Sequence, residues 1–173
     1  MFTIVDIAIL ILRGVVGLLF IGHGAQKLFG WFGGHGLTGT ANWLGSLGLH
    51  PPKLWAIVAG LAEFLGGIGL VLGLFTPVAA AAIIGAMLMA IVKVHWANGI
   101  WVTNGGFEYP LLHLVVAAFI SFVGPGLYAL DTYLNITYPM PMTFYTALIA
   151  AVLGVLIGVS SSRSTPQPQS QSA

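Results

Sequence analysis

Charge is what this chain lacks most. Only 5% of its 173 residues are Asp, Glu, Lys or Arg, while 58% are hydrophobic. Soluble domains carry roughly 25% charged residues, so this composition excludes a water-covered surface and points to an integral membrane protein. A net charge of +1 offers no basic footprint for nucleic acid. Cysteine is absent, which excludes disulfides, thiolate metal sites and thiol redox relays within the chain. There is no Gly-x-Ser-x-Gly turn, and no side chain stands out as an activated nucleophile. The glycines at 30, 33, 34 and 36 do not follow a strand, which removes a dinucleotide or phosphate loop. Asp6 and Arg13 are the first charges, so the basic start of a cleaved leader is missing and the first apolar run reads as a retained span.

What the chain does contain is a series of apolar runs near the ~20 residues that cross a bilayer core. Span 1 is expected over about Val5 to Leu28, followed by a short interfacial helix over Thr38 to Gly48. Span 2 covers Lys53 to Phe75, opened by Pro51 and Pro52 as proline opens helices. Span 3 covers Pro77 to Trp96, and span 4 covers Phe107 to Val123, broken by Gly124-Pro-Gly126. Tyr133, Tyr138 and Pro139 read as interfacial, span 5 covers Met142 to Val159, and the Ser/Gln/Pro-rich tail from Ser160 to Ala173 reads as disordered. Ala62 and Gly66, Gly69 and Gly73, and Gly154 and Gly158 have the spacing that lets helices approach closely. Bundle packing is the simplest reading of that spacing, and a homo-oligomer interface is the alternative.

Ionisable groups inside spans need partners or a wet cavity. Arg13 and Glu63 each count to about mid-membrane from the ends of their own helices at roughly 1.5 Å per residue. The simplest expectation is an Arg13–Glu63 pair, with Asp131 as a second candidate partner for Arg13. The remaining polar groups gather at the opposite face. His23 and Lys27 share a helix face. Lys93 and His95 end span 3, Glu108 and Tyr109 begin span 4, and His113 lies a turn deeper. Topology puts them at one level, where they can line a pocket, or simply snorkel and hydrogen-bond at the interface. Metal-ligand spacing is missing: no two of these histidines are three or four apart, and Glu108 and His113 diverge by about 140° around a helix.

The ordered set of motifs resembles the DoxX family of small bacterial and archaeal membrane proteins. It comprises Arg13, His23-Gly-x-x-Lys27-Leu-Phe-Gly, Gly36-x-x-Gly-Thr40, Glu63-Phe-x-Gly-Gly67 and Gly73-Leu-x-Thr76. It continues with Val94-His95, Gly105-Gly-x-Glu-Tyr109 and Gly124-Pro-Gly-x-Tyr-x-Leu-Asp131. The resemblance covers about residues 6 to 131. It implies an all-α membrane protein, a four-helix DoxX-like transmembrane bundle over 1–131. Residues 132–159 then add an interfacial segment and a further C-terminal transmembrane helix, and 160–173 form the tail.

The resemblance further implies a component of a membrane redox complex, either a quinone-linked oxidoreductase subunit or an anchor for redox enzymes. With no redox cofactor of its own, the chain would work with a quinone or a partner subunit's carrier. Glu63, His23 and Glu108 would then handle protons, and Lys27, Lys93, His95, Tyr109 and Arg13 would bind substrate. Trp31, Phe32, Trp96 and Trp101 would flank a flat ring or form an ordinary interfacial belt. The alternatives are a small transporter or channel for an anion or lipid-like solute, and a non-catalytic membrane scaffold. Lys27, Lys53, Lys93 and Arg163 fall on one side of five spans. The positive-inside bias then puts the N-terminus outside and the C-terminus in the cytoplasm of a plasma membrane.

Overall fold

The computed structural model describes residues 3–139 and 141–162, and all regular structure among them is helical. Helix α1 runs Ile4–Phe29, α2 Gly36–Ser46, α3 Pro52–Leu72, α4 Thr76–Ala90, α5 Glu108–Val123, α6 Leu130–Tyr133 and α7 Met142–Ser160. Helix α4 continues through a π-helical turn, Ile91–His95, into a 3₁₀ turn, so its apolar length reaches Asn98. Helices α1, α3, the extended α4 and α7 are long and apolar enough to cross a membrane; α5 is a shorter apolar helix. These match the expected spans to within a few residues at each end. The tail expected from Ser160 starts later than that, since α7 includes Ser160, and residues 163–173, Arg163 among them, lie outside the described residues.

Local chemistry sets the helix ends. Thr3 and Asp6 form a reciprocal capping box at the start of α1, satisfying donors that have no helical partner. Pro52 opens α3 at a position where a missing N–H costs nothing. Many side chains on the outer faces, including Ile11, Leu18, Leu65, Val115 and Ile157, are exposed. A surface of this kind suits hydrocarbon, because lipid removes any penalty for exposing leucine.

Helix α4 is the centre of the bundle, in contact with α3, α5 and α7. Val16 and Phe20 of α1, Leu70 of α3, Ile83, Ile84 and Met87 of α4, Ala117 and Ile120 of α5 and Phe144 of α7 form one buried cluster. Leu44, Leu49 and Ala56 form a second beneath α2.

The α1–α3 crossing is set by glycine. A side-chain carbon at Gly17 would sit 2.7 Å from the Gly67 carbonyl oxygen, and one at Gly24 would sit 2.5 Å from the Phe64 nitrogen. Without side chains there, the two backbones pack directly, as small residues permit in membrane bundles. Gly17 against Gly67, Gly24 against Phe64 and Leu28 against Gly60 show the helices to be antiparallel. They are also staggered: Arg13 lies at Gly73, past the end of α3, while Lys27 packs beside Gly60 and its side chain reaches Glu63. That stagger overturns the expected Arg13–Glu63 pair. Ten residues of α3 separate Gly73 from Glu63, about 15 Å along the axis.

Candidate functional site

Two buried charge clusters result, one towards each end of the bundle. At the first, Lys27 Nζ donates to Glu63 Oε2 at 2.5 Å. Glu63 is 5% exposed, which would make an unpaired carboxylate very costly. The close α1–α3 crossing brings the lysine within reach. Thr40 of α2 donates to the Lys27 carbonyl, tying the loop-side helix to the same turn.

The Lys27–Glu63 pair opens on a cavity of about 210 Å³ between α1, α2, α3, α4 and the start of α5. His23, Lys93, His95 and Tyr109 also line it, and Phe20, Trp43, Leu44, Leu49, Met87 and Met89 supply apolar walls. The π-helical turn is what carries both Lys93 and His95 to this cavity; π turns inside α-helices recur at functional sites. Lys93 Nζ donates to Ser162 Oγ at 2.9 Å, so the residues just after α7 tie down one wall. His95 Nδ1 lies 2.6 Å from the Gly105 carbonyl oxygen, closing the loop after the π turn. His23 Nδ1 is 3.3 Å from Gln26 Oε1.

Other residues singled out by sequence stand elsewhere. Glu108 does not line the cavity; its Oε2 accepts from the Val102 backbone N–H at 2.9 Å and pins the loop before α5. His113 lies behind the wall, packed against Phe20 and Tyr109, both of which face the cavity. Trp31, Phe32, Trp96 and Trp101 are exposed and none lines the cavity. The aromatic walls are Phe20, Trp43 and Tyr109 instead. Phe20 and Trp43 carried no signal separating them from ordinary apolar positions. A helical projection of α2 with Trp43 and Leu44 on its inner side was the available hint.

Arg13 belongs to the second cluster. It is fully buried, and its Nη2 donates to the Tyr128 carbonyl at 2.6 Å. The neighbouring Asp131, 1% exposed, supplies opposite charge. Asp131 accepts from the Phe75 and Thr76 backbone N–H groups at 2.8 and 2.9 Å, from the Thr76 hydroxyl at 2.8 Å and from the Tyr138 hydroxyl at 2.8 Å. It therefore caps α4 from across the bundle. Tyr138, read as simply interfacial, is tied inward; burial and then the bond to Asp131 push its hydroxyl above the ordinary tyrosine range. Gly73, at φ 63°, lies under the guanidinium, where any side chain would overlap Arg13.

Among the described residues no three of His, Cys, Asp and Glu converge as a metal-binding group. The cavity's donor set does fit a quinone-type ring. An ammonium and a phenol can donate to ring oxygens, a carboxylate can take up or release a proton, and flat apolar walls can hold the ring.

Comparison with known proteins gives the family and no more. No curated protein and no solved structure matches the chain. The family model for DoxX matches residues 8–96, more than half of the chain. The matched segment holds Arg13, His23, Lys27, Glu63, Lys93 and His95 and stops before Glu108, Tyr109, Asp131 and α7. The chain is a member of the DoxX family.

Proposed function

We propose that the protein is a membrane-bound component of a redox complex, in which the cavity beside Lys27 and Glu63 takes the polar head of a quinone-type ligand. The observation that carries this reading is the Lys27–Glu63 ion pair, which faces a cavity otherwise walled by apolar and aromatic side chains. Ionisable groups at membrane depth are functional candidates by default. Ligand sites are typically apolar with a few placed polar groups. The cavity's ~210 Å³ is below the roughly 300–1,000 Å³ of drug-sized ligands, which suits a single ring rather than a nucleotide.

In this reading Lys27 donates to a ring oxygen, Glu63 holds or releases a proton beside it, and Tyr109 and the histidines line the remaining approach. A quinone supplies two-electron redox chemistry when bound, and the electrons come from a partner subunit's cofactor. Lys93 and His95 shape the loop-side mouth. Arg13 and Glu108 hold structure and take no part in binding. With this mouth on the cytoplasmic side of a bacterial or archaeal plasma membrane, Lys27, Lys53 and Lys93 would satisfy the positive-inside bias.

The test is extraction of the complex, purified in mild detergent, followed by mass spectrometry for quinone. Wild type should carry quinone, and Lys27→Ala should carry about tenfold less, a change equivalent to about 1.4 kcal/mol. Absence of quinone from wild type, together with normal quinone reduction by membranes lacking the protein, would overturn the reading.

A further inference from the structure

We infer that the ligand held at Lys27 and Glu63 is an amphiphile with a long hydrocarbon tail, and that the groove between α3, α4 and α7 takes that tail. This rests on the reading of the inner cavity as a quinone-type head site. The groove is a second cavity of about 210 Å³ whose lining is wholly apolar, including Ala62, Ala82, Gly85, Ala151 and Gly154. Ala86 and Met89 line both this groove and the head cavity, so the two spaces share a wall at these side chains. On the opposite side, Lys27 and Trp43 line both the head cavity and a polar cavity of about 270 Å³ with Gln26, His35 and Thr40. The head cavity thus has a polar neighbour on one flank and an apolar neighbour on the other.

Only a molecule with a polar head and an apolar extension complements that sequence of spaces. Apolar-lined cavities stay dry and accept hydrocarbon. Met89 is the adaptable kind of side chain that can move aside for a passing chain. Helix α7 gains a role as well: it lies beyond the segment matched by the family, and its Ala151 and Gly154 form one wall of the groove.

Gly154 supplies a clean test, because nothing lies within 4 Å of where its side-chain carbon would sit. Phenylalanine at this groove-lining position is expected to occupy the groove. The probes are dimethoxy-methyl-benzoquinone and its decyl derivative, titrated against the full chain in lipid nanodiscs. Binding is read by quenching of Trp43, which lines the head cavity, and Trp55, which lines the groove. Gly154→Phe should weaken the decyl compound about tenfold and leave the tailless ring unchanged. Leu153→Phe, on the exposed face outside the groove, should change neither. Gly154→Leu repeats the test should phenylalanine lower the melting temperature. If both compounds bind wild type and Gly154→Phe and Gly154→Leu leave the decyl compound unaffected, the tail assignment is overturned while the head site stands. If neither compound binds wild type, the head site fails and the tail assignment falls with it.

Discussion

The two ends of the bundle use the same ingredients to opposite effect. Each sets a cation on α1 beside a carboxylate from a later element. Asp131 accepts four hydrogen bonds, and Arg13 beside it lines none of the cavities described. Among the described residues Glu63 accepts only from Lys27, and Lys27 faces two cavities. A carboxylate saturated by backbone and hydroxyl donors is committed to holding α6 and the Tyr138 segment to the start of α4. A carboxylate with one partner and open space beside it retains the capacity to exchange a proton or meet a ligand. Buried charge alone therefore does not mark the site; unspent hydrogen-bonding capacity next to a cavity does.

The sharpest way to break this contrast is Asp131→Ala. It removes the cap of α4 and leaves Arg13 without its neighbouring negative charge. The expected loss is about 3–5 kcal/mol, the range for breaking a buried charged pair, read by thermal unfolding in detergent. Lys27→Ala should cost less, up to about 3 kcal/mol, the low end of that range, because the lysine side chain is 25% exposed. The two ends separate best in the conservative variants. Glu63→Gln should stay folded and lose head-group binding, whereas Asp131→Asn should lose stability while the folded fraction still binds.

Tyr138→Phe removes one of the four bonds to Asp131 and should cost about 1 kcal/mol. Because burial and Asp131 raise the Tyr138 hydroxyl above its ordinary range, its contribution has a defined pH course. It is fully present below the unfolded tyrosine value of about 10 and fades as pH rises through the folded value. The stability gap between wild type and Tyr138→Phe should therefore hold at neutral pH and shrink in strong alkali. The smallest effect belongs to Trp101→Ala: exposed and outside the cavity, it should change ring binding by less than about 0.5 kcal/mol, roughly twofold.

The helices were legible in the sequence because a long, nearly charge-free apolar run fits a bilayer only with its backbone polar groups paired internally, as a helix pairs them. Their relative heights were not. Counting Arg13 and Glu63 inward from their own helix ends assumes that those ends are level. The Gly17, Gly24 and Gly67 contacts instead slide α1 past α3 and hand Glu63 to Lys27. Much of the cavity lining was legible by level, since His23, Lys27, Lys93, His95 and Tyr109 all leave from the same loops. Rotation was not: Glu108 shares that level, yet its carboxylate turns to the Val102 N–H. The π turn that swings Lys93 and His95 inward has no compositional signature. The apolar side of the cavity, Phe20, Met87 and Met89, looks in sequence like any bundle interior.

In the proposed function Glu63, held by Lys27, faces a ligand while Asp131 does not. Titrating dimethoxy-methyl-benzoquinone against wild type, Glu63→Gln and Asp131→Asn in nanodiscs, each normalised to its folded fraction, tests this most directly. Glu63→Gln should bind at least about tenfold more weakly, about 1.4 kcal/mol, and Asp131→Asn should keep wild-type affinity. Equal affinity in wild type and Glu63→Gln, or a loss confined to Asp131→Asn, would contradict the proposed function.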